Sequence, residues 1–482
     1  MVQEPTMSDP RMMTVKRSLL LAGAVLVIAG LCATIAAVNW AHNAKSRFQQ
    51  AASDALGLQV TIGGSVKLRF FPSFGVTLQD VHIRNHDAEL ASAQAVRLGI
   101  GLLPLLRHEL QISAIALVHL VLAVEQNRDG TFNFALASAA GGGMAIDSTD
   151  VSLNDATIHY TNQQNGNQWQ AVSCDMQANH FQLATSGPGD LISQLELTAA
   201  VGCKRIETRK LIMDDVKFTL DSKQGLFAFK GITMQAYAGQ GSGEISADFA
   251  GRTPTFRVHY ALSKFRIEEF WAAISPKKVI EGSMNFSTDL TLSGHTVAEM
   301  TRSSVGEASL RGSNLTLEIG DLDSELSKYE STQKFNLIDL GAFLVAGPLG
   351  VGVSKGYDYA RVLTSQAGSS EVPNLISEWH VDHGVALAKD VAMTTKKNRL
   401  ALKGALDFVN DRFQDVTVAL VDEKGCVRVQ QRAGGPFSQP DVAKPNVMVS
   451  LTGPVKTLVK QAKHLLGVRC EVFYSGALAP PP

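Results

Sequence analysis

Apolar side chains at every second position, in stripe after stripe, constrain this chain more than any other feature. Val96, Leu98, Ile100 and Leu102 form one stripe, and Val118, Leu120, Leu122 and Val124 another. Phe256, Val258, Tyr260 and Leu262 form a third, then Met284, Phe286, Thr288, Leu290 and Leu292 a fourth. Period two is the repeat of a β-strand with one apolar face, since successive side chains point to opposite sides. Val76 and Leu78 open a further stripe, but Asp80 shifts the phase before Val81 and Ile83 resume it, which predicts a β-bulge. The turn Asn127-Arg128-Asp129-Gly130 ends the second stripe. The expected class is therefore mainly β, with a few short helices. The 41 glycines and the low aromatic share, 7%, suit many turns around light cores.

A different pattern precedes the strands. Ser18 to Val38 is an uncharged apolar run. As a helix of ~1.5 Å per residue it spans ~31 Å, the thickness of a bilayer core. Arg11, Lys16 and Arg17 lie just before it, so the positive-inside rule puts 1–17 in the cytoplasm and the bulk of the chain outside. Lys45 and Arg47 on the far side weaken that asymmetry a little. The Ala22-Gly23-Ala24 triplet comes too early in the run to be a leader-peptidase site, and Leu31 before Cys32 is too bulky for lipoprotein processing. An uncleaved anchor at 18–38 is expected, followed by a juxtamembrane helix over 39–57 that stops at Gly57.

Cysteine usage agrees with an oxidising compartment. Of five cysteines, Cys32 lies in the apolar run and the others form two neighbouring pairs, Cys174 with Cys203 and Cys426 with Cys470. Proximity favours that pairing among the three possible, four buried thiols being the alternative. No CxxC occurs, so neither zinc nor thioredoxin-type chemistry is suggested.

Helical pattern is confined to a few places. Lys264 to Ala273 is one short candidate. Leu337 to Val353 is apolar but holds Asp339 and Pro348, so a packed or membrane-surface helix pair fits it better than a second span. Residues 455–466 carry apolar side chains at Val455, Leu458, Val459, Ala462, Leu465 and Leu466, then Gly467, the pattern of an amphipathic helix with a C-cap. Small, flexible 138–145 is the best linker. The expected divisions are a β unit over 58–137, a middle β region over 146–293 and a C-terminal β unit over 294–482.

Order as well as pattern carries a resemblance. Thr61-Ile62-Gly63-Gly64, Phe71-Pro72-Ser73-Phe74-Gly75-Val76, Leu78, Asp80-Val81, Ile83 and Asn85 resemble the opening of the AsmA family, and Leu103-Pro104-Leu105-Leu106 through Asn127-Arg128-Asp129-Gly130 and Phe132-Asn133 continue it. Gly384-Val385-Ala386, Asp390-Val391-Ala392, Arg399, Gly404, Asp407-Phe408, Gly425-Cys426 and Cys470-Glu471-Val472-Phe473-Tyr474-Ser475-Gly476 look like the family's C-terminal part. The middle, about 145–300, resembles it by pattern alone.

The resemblance implies a bacterial inner-membrane protein, single-pass, with a large periplasmic body, linked to outer-membrane biogenesis in Gram-negative cells. It implies an elongated, twisted, largely antiparallel β-sheet groove, similar to bridge-like lipid-transfer proteins, that takes phospholipid. On the residues alone, stripes packed against one another as sandwich cores are favoured; the resemblance reverses that preference. The groove candidates are then Val76, Leu78, Val96, Leu98, Ile100, Leu120, Leu122 and Val124. The alternative is a scaffold that assists outer-membrane protein assembly through its sheet edges, with a partner in the envelope.

Catalytic motifs are missing from the sequence. No GxSxG, Walker A, HExxH or EF-hand loop occurs. Gly350, Gly352 and Gly356 have the wrong spacing for a dinucleotide fingerprint. His380, Asp382 and His383 form the one metal-like cluster, yet 383 would point away from 380 and 382 on a strand. No enzyme activity, cofactor or metal is expected. A net charge of −1 gives no basic excess, so no nucleic-acid partner is expected either.

Overall fold

The computed structural model describes residues 45–54, 56–69, 74–85, 88–101, 112–129, 131–133, 146–183, 195–209, 211–273, 279–318, 320–332, 337–338, 368–443, 446–447, 470 and 472–481. Strands hold 68% of them, in antiparallel-rich sheet with few helices. The expected tail 1–17, anchor 18–38, linker 138–145 and amphipathic helix 455–466 lie outside the described residues, as do Gly350, Gly352 and Gly356. Among the described residues, no helix is long and apolar enough to cross a membrane. The chain divides into two compact units, 1–144 with 152–166, and 145–151 with 167–482.

In the first unit, helix α1 spans 45–54, and Gly57 beyond it takes φ 64°. Strands β1 (Gln59–Ile62) and β2 (Val66–Arg69) both pair with β3 (Gly75–Asn85). β3 pairs with β4 (Ala88–Ile100), and β4 with β5 (Ile112–Gln126), all antiparallel. Asp80 takes φ 56°, and Val76, Leu78 and Val81 end in one buried cluster with Val60, Ile62 and Val66. The phase shift expected at Asp80 is therefore present. Phe48 and Ala52 of α1 pack on this cluster, and Ser53 Oγ accepts the Val60 N–H at 3.0 Å. Strand β6 (Ile146–Asn162) contributes its residues 152–162 here.

The second unit is an antiparallel meander. Its strands are β7 (Gln168–Leu183), β8 (Leu195–Thr208), β9 (Ile212–Lys223), β10 (Leu226–Ala236), β11 (Gly239–Asp248) and β12 (Thr255–Arg266). Then follow β13 (Ile280–Glu281), β14 (Ser283–Ser293), β15 (Val305–Leu317), β16 (Ser370–Asp382), β17 (Val385–Thr394), β18 (Arg399–Asp407), β19 (Arg412–Val421) and β20 (Val427–Pro436). Each long strand pairs with the next, and β14 pairs with β15 from Met284 opposite Gly312 to Thr291 opposite Val305. Short β21 (Asp441–Val442) and β22 (Asn446–Val447) meet the β20 edge.

Left-handed residues recur within the strands of this meander. Ser173 (φ 50°) stands level with Lys204, which stands level with Asp215 (φ 51°). Lys264 (φ 54°) lies where the register shifts between β12 and β14, and Asn314 (φ 52°) lies inside β15. Asp215 lies at a register shift as well, between β9 and β10, and irregularities of this kind bend a strand and sharpen its twist.

Helices α2 (Ile267–Ala272), α3 (Val297–Ser303) and α4 (Leu322–Thr332) sit between strands, α2 within the stretch expected to be helical. Ile267 and Phe270 of α2, Leu322 and Leu326 of α4, and Leu337 and Ile338 join a core with Met284, Leu310, Trp379, Leu400, Leu406, Val418 and Leu420. On the opposite face of the last strands, Ala392, Ala401, Ala419 and Val421 are covered by Tyr474 and Leu478. These small alanines let the C-terminal segment lie close against the sheet.

Two disulfides fasten the unit. Cys174 is joined to Cys203 across β7 and β8, where the two are register partners. Cys426 is joined to Cys470.

Candidate functional site

Antiparallel partners share a sheet face, so the register of β9 to β15 sorts every side chain there into one of two surfaces. Leu220, Phe229, Ile245, Val258, Leu290 and Gly306 follow one another across six strands. Beside them run Phe227, Ala247, Phe256 and Leu292. On the other flank run Ile232, Gly243, Tyr260, Thr288 and Ala308. The result is an apolar floor whose larger side chains are half-buried rather than sealed.

Aromatic pairs run along that floor. Phe218 and Phe229 have ring centroids 5.6 Å apart, Phe227 and Phe249 5.6 Å, and Phe249 and Phe256 5.7 Å. A Cβ on Gly241 would come within 2.3 Å of the Tyr260 hydroxyl, so the ring lies in the space that glycine leaves. Burial raises the Tyr260 and Tyr237 phenols above their ordinary range.

The other face is polar and exposed. Its cross-strand neighbours pair by charge: Arg205 with Asp214 at 2.8 Å, Lys230 with Asp221 at 2.9 Å, His259 with Asp289 at 3.5 Å and Lys389 with Glu307 at 3.0 Å. Arg311 pairs with Glu378 there too. Exposed pairs of this kind contribute little stability. Their effect is to leave a hydrated, charge-balanced outer face opposite a half-covered apolar one.

The residues singled out from sequence fall in two places. Val76 and Leu78 are buried, and Val96, Leu98 and Ile100 pack against them in the cluster that α1 covers. Leu120 and Leu122 are half-buried opposite Ala93 and Ala91, and Val124 is half-buried beyond them on β5. The less covered floor of the second unit is built from the stripes around Val258 and Leu290, which the sequence displayed without distinguishing them from a packed core. Cys174 lies on β7, Cys203 on β8 and Cys426 just before β20.

The described residues offer the floor no acid–base constellation. They contain no group of three or more His, Cys, Asp or Glu side chains able to hold a metal ion. His383 Nδ1 lies 2.7 Å from Asp382 Oδ1, both exposed, as a local contact at a turn. A buried carboxylate does occur at Asp407, and it is structural. Burial pushes it up, but hydrogen bonds from Asn410 and Gln414 side chains and from the Val409 and Asn410 backbone outweigh that and hold it below the usual carboxylate range. What the floor can do chemically is shelter apolar chains from water.

Comparison with known proteins finds the same family over the N-terminal and middle stretches. No curated protein matches the chain. The AsmA family signature matches residues 15–140 and 144–340, taking in the middle stretch that resembled the family by pattern alone and ending before the C-terminal motifs. That match spans both α1 with its strands and the whole apolar floor from β9 to β15. The chain belongs to the AsmA family.

Proposed function

We propose that this is an inner-membrane-anchored, periplasmic protein of envelope biogenesis whose apolar floor on β9 to β15 holds the acyl chains of phospholipid. The observation that carries the reading is the asymmetry of that sheet. One face sets Phe229, Ile245, Val258 and Leu290 in a row, half-buried, and the other is polar and charge-paired. A contiguous apolar surface left to water marks a binding site. Each CH₂ sheltered there gains about 0.8 kcal/mol, so a few turns of acyl chain suffice for binding. Two disulfides suit the oxidising periplasm, and the run at 18–38 supplies the anchor. The protein acts by binding, without catalysis, and needs no cofactor.

The test places a photo-crosslinking amino acid at Val258 or Leu290, and in parallel at His259 or Asp289, in the full chain in living cells. Phospholipid adducts are expected at the first pair and not at the second. Protein adducts at all four positions, with no lipid, would favour the scaffold reading instead.

A further inference from the structure

The apolar floor does not stop where its cover begins. Its rows continue in register from β15 into β16 and β17, with Leu310 opposite Ser377, Ala308 opposite Trp379, Ser377 opposite Val391 and Trp379 opposite Ala388. Met393, Leu400 and Leu420 then carry one row across β17, β18 and β19, and Ala386, Leu406 and Phe413 carry another. The surface chemistry is the same on both sides of β15. What differs is exposure: Val258 and Leu290 are half-buried, whereas Trp379 is 1% exposed, Leu400 0% and Leu420 1%.

The difference has an identifiable cause. Leu322, Leu326, Leu337 and Ile338 are 5% exposed or less and belong to the same cluster as the covered rows. These are aliphatic side chains supplied by the chain itself, on the face that would otherwise receive acyl chains. They are fastened by polar bonds at each end. Ser370 Oγ accepts the Leu322 N–H at 2.7 Å and donates to the Gly320 carbonyl at 2.6 Å. Asp323 Oδ1 accepts from Asn398 Nδ2 at 2.6 Å and from Thr395 Oγ1 at 2.5 Å, and Gln431 Oε1 accepts the Leu337 N–H at 2.7 Å. Behind them the sheet is closed on its other face by Tyr474 and Leu478. Lifting α4 would strand buried donors and acceptors as well as expose leucines.

We infer that the acyl-binding surface ends at β15, and that Leu322, Leu326, Leu337 and Ile338 are a built-in occupant of the last strands. This rests on the lipid reading above. A lipid on β9 to β15 is then a discrete cargo, which neither enters nor leaves over β16 to β20. The closed end serves as a stop that fixes how far a chain can slide.

The experiment uses the full chain, unmutated, reconstituted with phosphatidylethanolamine–phosphatidylglycerol vesicles containing a phosphatidylethanolamine with a diazirine midway along one acyl chain. After illumination, labelled peptides are mapped by mass spectrometry. Label is expected on floor residues between Phe218 and Leu292, and at least about tenfold less on Leu375 to Ala433, the ratio that roughly 1.4 kcal/mol of discrimination gives. Equal labelling of the two regions would overturn the closed end while leaving the lipid reading intact. Absence of label from both would overturn the lipid reading and this inference together.

Discussion

Val258 stands directly opposite Leu290 across β12 and β14, and both side chains are half-buried on the apolar face. The next residues along, His259 and Asp289, point to the other face and meet at 3.5 Å. Two adjoining register pairs thus separate an apolar surface from a hydrated one.

The first expectation concerns that surface. Val258→Asp puts an ionised carboxylate among side chains that would contact an acyl chain. Captured lipid should fall about tenfold, equal to losing the shelter of roughly two CH₂ groups. Folding should be little affected, by about 1 kcal/mol, since the site is only half-buried. Ser246→Asp, exposed on the polar face, is the control and should retain lipid. Lipid extraction and a thermal melt on each variant check both statements.

The second concerns the segment that covers the last strands. Cys426→Ser with Cys470→Ser opens a loop whose ends are 44 residues apart. The chain-entropy relation puts the loss near 4 kcal/mol. Leu478 donates its N–H to the Tyr474 hydroxyl at 3.0 Å, and Ala477 donates to Asp390 at 2.8 Å. These two amides should exchange faster in the double variant, while the Val258 amide keeps its protection. Equal protection of Ala477 and Leu478 in both proteins would mean that the disulfide does not hold the segment.

Much of this architecture was legible in the sequence, for definite reasons. Alternation revealed the strands because a pleat has period two, and Asp80 announced its phase shift by breaking that period. Which apolar face stays uncovered could not be read locally. Val76 with Leu78 and Val258 with Tyr260 show the same alternation, yet Phe48 and Ala52 of α1 cover the first pair. Covering is a tertiary fact, decided by residues far away in the chain. The same limit hid α4: Leu322 and Leu326 lie in a largely polar segment, and only the folded sheet shows what they sit on. The left-handed backbone at Ser173, Asp215 and Lys264 was missed because polar residues inside a stripe look like ordinary solvent-facing positions.

The third expectation uses one of those left-handed positions. Asp215 is exposed and holds φ 51°, a region that glycine enters freely and β-branched residues resist. Asp215→Gly should leave stability within about 0.5 kcal/mol, whereas Asp215→Val should cost about 1–2 kcal/mol. Urea midpoints for the two variants decide it. An equal cost for both would show that the carboxylate, rather than the backbone, matters at this position.

The last concerns acid. Asp407 is 2% exposed and accepts the Val409 N–H at 3.0 Å, the Asn410 N–H at 3.0 Å, Asn410 Nδ2 at 2.8 Å and Gln414 Nε2 at 2.8 Å. Burial opposes its ionisation, but these donors win, and its carboxyl lies below the ordinary value. Because the folded pKa is depressed, the stabilisation is complete above the unfolded value of about 3.9 and is lost as pH falls through the folded one. Asp407→Ala leaves four donors without their acceptor and should cost about 1–3 kcal/mol at neutral pH. The gap between wild type and variant should therefore be constant from pH 7 to about 5 and narrow below about 3.9. Subtracting the two curves removes the contribution of every other carboxylate. A gap that stayed constant to pH 2 would mean that Asp407 acts through packing rather than through its charge.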